Sequence, residues 1–198
     1  MKKMFLIIFV LLTAGFAQAA VENGKASSNF TLTDTHGKIH RLTDYKGKFV
    51  VLEWFNPDCP FIKKHYNSGN MQKLQKKYVK QGVIWLSIDS SAKGKEGAYS
   101  PAKINQWAKK HKDGSTALFL DSKGKVARLY GAKTTPHMFI INPQGILIYQ
   151  GAIDSIASTD PADIAQAKNY VQAALYEAVA KKTVSTPVTK SYGCSVKY

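Results

Sequence analysis

The chain has 198 residues, a length that suits one globular domain with a sizeable core, or one domain with a tail. It is strongly basic, with 28 lysine and arginine residues against 13 aspartate and glutamate residues. Its net charge of +15 would attract anionic surfaces or partners. However, the lysines are scattered singly and in pairs, with no basic run interleaved with aromatic residues, and this pattern argues against a nucleic-acid-binding protein.

The first 20 residues have the three parts of a secretory signal peptide. Lys2 and Lys3 precede an apolar run over residues 4–12, and the small-x-small sequence Ala17-Gln18-Ala19 provides a cleavage site. The apolar run is too short to span a bilayer comfortably. We therefore predict that residues 1–19 are a signal peptide, that the protein is exported to the periplasm, and that it has no stable membrane insertion after cleavage. Cleavage would lower the net charge to about +13.

The first half of the remaining chain predicts a hairpin followed by alternating strands and helices. FTLTDTHGKIHRL alternates apolar and polar residues around the turn at 35–38, which is typical of a hairpin. KFVVLEWF and VIWLSID are continuous apolar runs, typical of strands buried on both faces. Between them, apolar residues at helical spacing predict a lysine-rich helix that ends at Gly82. Ser100 and Pro101 then open a further helix as cap and first-turn proline.

The second half predicts three more strands, a closing helix and a tail. TALFLD, HMFIIN and ILIYQG are strand-like, and the turn at 142–145 joins the last two. Asp160 and Pro161 predict the start of a helix that runs to about Lys181. The pattern therefore predicts one α/β domain over residues 26–182 with a mixed sheet. Residues 183–198 show no period and are predicted to be an extended tail, which carries Cys194.

The stretch WFNPDCPFIKKHY, residues 54–66, holds the first of only two cysteines. Cys59 follows a buried strand and directly precedes Pro60, which suits the first turn of a helix. The helix dipole, with Lys63 and Lys64 one turn further on, favours the thiolate, so we expect the pKa of Cys59 to lie below that of a free cysteine. An inert buried cysteine would be expected among apolar neighbours on a strand. The position between two prolines instead predicts a reactive thiol.

The chain resembles the thioredoxin-like redoxins, the group that contains alkyl hydroperoxide reductase, thiol-specific antioxidant proteins and exported disulfide reductases. NFTLTDTHGKIHRLTDYKGKFVVLEWFNPDCP resembles their opening hairpin, first long strand and active-site loop, and GKVARLYGAKTTPHMFIINPQGILIYQGAI resembles their second half. The likeness covers nearly all of residues 28–180. It is strongest to a peroxiredoxin-like branch with a single-cysteine loop and a tail ending in YGCSVKY. It implies a thioredoxin-like three-layer sandwich, with a mixed central sheet, flanking helices and an N-terminal hairpin.

The resemblance assigns roles to several residues. Cys59 falls where thioredoxins have the nucleophilic cysteine of their C-x-x-C pair, and Ile62 occupies the second cysteine's position. Glu53 stands where thioredoxin has a buried acid that assists proton transfer. Burial would raise the pKa of this carboxyl toward neutral, which suits a general base. A structural ion pair between Glu53 and a lysine is the alternative.

The segment TTPHMF aligns with the thioredoxin segment that carries a cis-proline facing the active cysteine. Thr135-Pro136 would then be a cis peptide, although an ordinary trans proline at the start of a strand is also possible. His137 could approach Cys59 or could simply be packed. The residues expected around the substrate are Asn56, Pro60, Thr135 and His137.

The chain also departs from the peroxiredoxin pattern. Those enzymes polarise the peroxide with a threonine or serine three residues before the peroxidatic cysteine, and with an arginine at the position of Pro136. Here Asn56 and Pro136 stand at these positions. The remaining candidates for a positive charge at the site are Lys63, Lys64 and Arg128.

Cys194 is the one other cysteine that could react with an intermediate formed on Cys59. It lies near the end of the tail, which could reach tens of ångströms if extended. Two interpretations remain open. Cys194 could be a resolving cysteine that closes onto Cys59 of the same or a partner chain, or the two could form a permanent bridge worth about 4 to 5 kcal/mol.

The first hypothesis for function is an exported thiol-disulfide oxidoreductase or peroxiredoxin-like antioxidant enzyme that needs no cofactor or metal. Its partner would be a protein disulfide or thiol, or a hydroperoxide. Thiol-disulfide exchange is favoured because Glu53 and Pro136 match thioredoxin, whereas the peroxide-polarising pair is missing. Two other classes remain open: a copper carrier that uses Cys59 with His65 or His137, and an interaction module with an unreactive Cys59.

Overall fold

The computed structural model describes residues 21–198. The predicted signal peptide, residues 1–19, lies outside the described residues. Within residues 21–198, none of the helices is both long and apolar enough to cross a membrane.

A five-stranded mixed sheet forms the centre of the fold. Its strand order is β5-β4-β3-β7-β8; β3, β4 and β5 run parallel, and β7 and β8 are antiparallel to their neighbours. These five strands are β3 (Val50–Trp54), β4 (Ile84–Asp89), β5 (Ala117–Leu120), β7 (His137–Ile141) and β8 (Leu147–Gly151). Strand β3 lies in the middle of the sheet and is buried along its whole length, as its continuous apolar run predicts.

Two short strand pairs accompany the sheet. Strands β1 (Thr31–Thr33) and β2 (Ile39–Arg41) form the predicted N-terminal hairpin, with Leu32 opposite His40. Strands β6 (Thr134–Thr135) and β9 (Cys194–Ser195) pair antiparallel and bring the C-terminus back to the sheet.

Helices cover both faces of the sheet. They are α1 (Pro60–Asn67), α2 (Asn70–Lys80), α3 (Pro101–His111), α4 (Lys125–Tyr130) and α5 (Tyr170–Val179). One core cluster joins β3 to α1, α2, α3 and α5, and the other joins the opposite face of β3 to α4 and the N-terminal segment. This arrangement confirms the predicted three-layer α/β architecture with a mixed sheet.

The predicted closing helix was wrong at its start. Asp160 does cap a helical turn, accepting a hydrogen bond from Ala162 N at 2.9 Å, but that turn is a short 3₁₀ helix, Pro161–Ala165, without a buried side chain. The chain near Lys168 and Asn169 is held extended by pairing with residues 154–155, which is incompatible with helix. Helix α5 therefore begins at Tyr170, where the Asn169 side chain provides a second cap.

Helix α4 was not predicted from the sequence. The carboxylate of Asp121 accepts hydrogen bonds from the backbone N–H groups of Lys125, Val126 and Ala127 at 2.9 to 3.0 Å. The helix ends at Gly131, which adopts a positive φ. The sequence does carry a signal for this helix: Asp121 precedes its first residue by four positions, and Gly131 follows its last.

Candidate active site

Cys59 lies in the loop that joins the central strand β3 to helix α1. It is the residue that caps α1, with Pro60 at the first helical position, as predicted. Its backbone N–H donates to Asn56 O at 3.1 Å, and its carbonyl accepts from Lys63 N at 2.9 Å. The side chain is completely buried, at 0 % exposure. A reagent or substrate can therefore reach this sulfur only if something that covers it moves.

Asn56 braces this loop. Its Nδ2 donates to Ser91 Oγ at 3.3 Å and to Glu96 O at 3.0 Å, and its Oδ1 accepts from Asp58 N at 2.8 Å. These bonds hold the loop against the segment that follows β4. A contact between Asn56 and substrate stays a prediction, as does one between the exposed Pro60 and substrate.

The Thr135-Pro136 peptide bond is cis, as the resemblance implies. The preceding residue presents its backbone to the nucleophile: the carbonyl oxygen of Thr135 lies 3.1 Å from Cys59 Sγ. Thr135 is itself buried, at 3 % exposure. The structure thus brings together two of the residues predicted at the site, Cys59 and Thr135.

Within residues 21–198, His137 makes no hydrogen bond to Cys59. Its Nδ1 accepts from the backbone N–H of Lys133 at 3.2 Å, and its ring centroid lies 4.4 Å from that of Phe139. Burial lowers the pKa of His137 to about 4, so the ring is neutral at neutral pH. The packed alternative considered for this histidine describes its position, and a role in substrate binding stays a prediction.

Cys194 lies beside Cys59 although 135 positions separate them in the chain. Strand β9 pairs with β6 so that Cys194 stands opposite Thr135, and the two cysteine sulfur atoms are 2.7 Å apart. A disulfide bond would bring them to about 2.05 Å, so only a small movement separates this pair from a bond. Burial and the neighbouring Cys59 raise the pKa of Cys194, so its thiol keeps its proton at neutral pH.

The tail is held along its length by contacts with the domain. Thr189 pairs with the edge of β8, where its N–H donates to Gln150 O at 3.0 Å and its hydroxyl accepts from Ala152 N at 2.9 Å. The Tyr192 hydroxyl donates to Asp154 Oδ1. At the end of the chain, the Tyr198 hydroxyl donates to Ala132 O at 2.7 Å. The extended conformation was predicted, and the approach of the tail to Cys59 was one of the interpretations left open. The other contacts along the tail were not predicted.

A signal for this docking exists in the tail sequence. Tyr192, Cys194, Val196 and Tyr198 alternate with Gly193, Ser195 and Lys197. Of the first set, Tyr192 and Cys194 pack against one core cluster and Val196 against the other. Alternation with a period of two is the pattern of a half-buried strand, so the prediction that residues 183–198 show no period does not hold for the last seven of them.

Glu53 lies on the same face of β3 as helix α1, with its carboxylate completely buried. Its oxygens accept hydrogen bonds from four side chains: Tyr66 at 2.9 Å, Gln75 at 3.2 Å, Trp85 at 2.7 Å and Ser87 at 2.9 Å. Burial raises the pKa of Glu53 to about 7 despite these bonds. No lysine pairs with this carboxylate among residues 21–198, and no hydrogen bond there joins it directly to Cys59.

The cationic side chains considered as peroxide-polarising groups are engaged elsewhere or exposed. Lys64 Nζ donates to Ile156 O at 3.3 Å, and Arg128 Nη1 donates to Lys123 O at 2.6 Å. Lys63 is exposed to solvent. None of the three is a hydrogen-bond partner of the Cys59 sulfur in the part of the chain that the structure describes.

The histidine proposed as a copper partner also faces other groups. His65 Nδ1 contacts Asn70 Nδ2 at 2.8 Å, and its Nε2 lies 3.8 Å from Asp154 Oδ2. Over residues 21–198, no three side chains among histidine, cysteine, aspartate and glutamate form a group that could hold a metal ion.

Comparison with known proteins gives matches in both sequence and structure. The model of the AhpC/TSA family matches residues 23–150. Thiol-disulfide oxidoreductase ResA of Geobacillus thermodenitrificans is 30% identical over 129 residues, which are 65% of this chain and 68% of the relative.

Two solved structures show the fold. An uncharacterized conserved protein from Geobacillus kaustophilus superposes with a TM-score of 0.76 at 24% identity, covering 89% of this chain and 92% of that one. The thioredoxin domain of a thiol-disulfide oxidoreductase from Bacteroides vulgatus superposes with a TM-score of 0.52 at 17% identity, covering 74% and 97%. The thioredoxin-like fold implied by the sequence is therefore confirmed.

Proposed function

The chain belongs to the AhpC/TSA family, and we propose that it is an exported thiol-disulfide oxidoreductase in which Cys59 is the nucleophile and Cys194 the resolving cysteine. One observation carries this proposal: the tail brings Cys194 Sγ to within 2.7 Å of Cys59 Sγ, directly beside the cis-proline. The likeness to a protein named thiol-disulfide oxidoreductase ResA supports the same reaction class. Residues 1–19 would be the signal peptide, residues 26–182 the catalytic domain, and residues 183–198 the resolving tail.

The proposed reaction has two exchange steps. With the tail displaced, the Cys59 thiolate attacks one sulfur of a substrate disulfide, forming a mixed disulfide and releasing the first substrate thiolate, which takes up a proton. The tail then returns, and the Cys194 thiolate attacks Cys59 Sγ, forming the Cys59–Cys194 disulfide and releasing the second thiolate. Two electrons pass from the protein to the substrate, and a dithiol protein as external reductant restores both thiols.

The order of the two steps follows from the charges at the site. In the reduced pair, burial is the first cause that raises the pKa of Cys194, and the adjacent Cys59 is the next. Once Cys59 is in a mixed disulfide it carries no charge, so its effect on the pKa of Cys194 disappears. Cys194 thus becomes easier to ionise at the stage at which it has to attack.

Glu53 is proposed as the proton acceptor, as the resemblance implies. A buried carboxyl with a pKa raised to about 7 can both take and return a proton near neutral pH. Because its hydrogen-bond partners do not include Cys59, the transfer needs an intermediary between the two groups, such as a water molecule admitted when the tail opens. Pro136 is proposed as the substrate-side wall.

Two assays test the proposal on the purified protein. Reduction of insulin disulfides in the presence of a dithiol should proceed with the native protein and be lost in Cys59→Ser. With no added dithiol, Cys194→Ser should accumulate a stable mixed disulfide between Cys59 and the substrate. Insulin reduction that survives Cys59→Ser would refute the assignment of the nucleophile, and turnover at the native rate in Cys194→Ser would refute the assignment of the resolving cysteine.

A further inference from the structure

The C-terminal strand approaches the cis-proline loop at a residue without a side chain. Gly193 has a φ of +130°, a conformation that favours glycine. A Cβ atom added at this position would lie 2.1 Å from the carbonyl oxygen of Thr135, far inside normal contact distance. The same oxygen lies 3.1 Å from Cys59 Sγ. A side chain at position 193 would therefore displace either the tail or the loop that contacts the nucleophile.

Tyr192 anchors the same strand to a buried carboxylate. Its hydroxyl donates to Asp154 Oδ1, and its ring centroid lies 5.7 Å from that of Phe61 in the first turn of α1. Asp154 is only 2 % exposed, its Oδ1 also accepts from Ile156 N at 3.1 Å, and its Oδ2 lies 3.8 Å from His65 Nε2. The anchor for Tyr192 is thus part of the rigid domain and does not belong to the tail.

The two features together determine which tail residue faces Cys59. Tyr192 and Cys194 are two positions apart, and both pack against the core cluster that contains Cys59. A slip of one residue would turn Cys194 away from Cys59 and place Gly193 or Ser195 there instead. On the far side of Cys194, the N–H of Val196 donates to Lys133 O at 3.1 Å and holds the strand after the cysteine.

We propose that Gly193 and Tyr192 are positioning residues for the resolving step: Gly193 lets the strand come close enough, and Tyr192 sets its register, for Cys194 to attack Cys59. This inference rests on the proposed function. In the step concerned, the Cys194 thiolate forms the bond to Cys59 Sγ, the bond between Cys59 and the substrate sulfur breaks, and the departing thiolate takes up a proton.

A small aromatic disulfide with a coloured leaving thiolate, dithiobis(nitrobenzoate), separates the two steps. Mixed with the fully reduced protein at equal concentration, it releases one nitrothiobenzoate in a bimolecular phase when Cys59 attacks. It releases a second in a unimolecular phase when Cys194 closes onto Cys59. Gly193→Ala should slow the second release by at least about tenfold, because a reacting atom is misplaced. Tyr192→Phe should slow it by about three- to tenfold, because one hydrogen bond to a carboxylate is lost.

In both tail variants the first release of nitrothiobenzoate should be as fast as in the native protein, or faster, because a loosened tail uncovers Cys59.

Matched controls use the same changes away from the site. Gly145→Ala also places a side chain at a positive φ, but in open space in the β7–β8 turn, and Tyr176→Phe removes the hydroxyl of an exposed tyrosine. Both should close at the native rate, and urea unfolding of all variants checks that the domain is intact.

The outcomes distinguish this inference from the proposal on which it rests. If the native protein releases two nitrothiobenzoates and both tail variants release the second at the native rate, the positioning role alone is wrong. A native protein that never gives the second release overturns the resolving role of Cys194, and the positioning role with it. Slow closure in the tail variants with unchanged controls supports both.

Discussion

The carbonyl oxygen of Thr135 lies 3.1 Å from the sulfur atom of Cys59. The nucleophile therefore faces a hydrogen-bond acceptor where a peroxide-reducing site would need donors that polarise the O–O bond. The only other polar partner of this sulfur within residues 21–198 is Cys194 Sγ. Because a disulfide needs no such polarisation, we predict that the protein reduces disulfides much faster than hydroperoxides.

The measurement is a comparison of second-order rate constants for oxidation of the reduced protein by a peptide disulfide and by hydrogen peroxide. The rate constant for oxidation by hydrogen peroxide should be close to that of an ordinary protein thiolate. Lys64→Ala and Arg128→Ala should not lower it further, because both side chains form hydrogen bonds elsewhere. A peroxide constant that exceeds the disulfide constant would contradict the prediction.

The resemblance to thioredoxins places Ile62 at the position of their second cysteine, and Ile62 lies on α1 in the turn that follows Cys59. We predict that Ile62→Cys restores disulfide formation to Cys194→Ser, because the new thiol lies one helical turn from the nucleophile. The change removes a completely buried side chain and should cost about 1 to 3 kcal/mol of stability. The second release of nitrothiobenzoate reports the rescue, with Ile62→Ser in the same background as control. Equal behaviour of the two double variants would count against a thioredoxin-like loop.

Glu53 gives a prediction for stability against pH. Its pKa is raised from 4.5 to about 7 in the folded protein, so between these values the folded state binds more protons than the unfolded state. The free energy of unfolding should therefore fall as the pH rises from about 5 to 8, by about 3 kcal/mol from this group. Glu53→Gln cannot ionise and should lack this component.

Urea unfolding at several pH values checks this effect as a difference between the native protein and Glu53→Gln. Taking the difference removes the contributions of the buried histidines, His65 and His137, whose lowered pKa values act at acidic pH. A difference that does not change between pH 5 and 8 would mean that Glu53 is not held neutral by burial.

The resolving step should depend on pH through Cys194. Burial raises the pKa of this thiol, so at neutral pH only a small fraction is thiolate, and that fraction grows about tenfold for each pH unit. We predict that the rate of the second nitrothiobenzoate release rises with this slope between pH 6 and 8. A rate independent of pH would show that opening or closing of the tail limits the step, and not ionisation of Cys194.

Local patterns were sufficient to predict much of the fold and part of the site. The apolar run before Cys59 and the proline after it predicted a buried strand followed by a helix start, and both are present. The cis peptide at Pro136 followed from the resemblance. These features depend on a few consecutive residues, so a single stretch of sequence carries the information.

Features that depend on distant contacts could not be predicted in the same way. The start of α5 is displaced because residues 168–169 pair with residues 154–155, which lie in another part of the chain. The approach of Cys194 to Cys59 depends on the docked tail, which is more than 120 residues away along the chain. The alternation in YGCSVKY predicts a strand, but it does not identify β6 as the strand with which it pairs.

The central claim is that Cys194 resolves an intermediate on Cys59 of the same chain. Its most direct test is mass spectrometry of the protein after reaction with one equivalent of a peptide disulfide, followed by proteolysis without reduction. We predict a monomer that has lost two hydrogen atoms, with the peptides containing Cys59 and Cys194 joined by a disulfide. A protein that retains the substrate peptide on Cys59 while Cys194 remains a free thiol would contradict it.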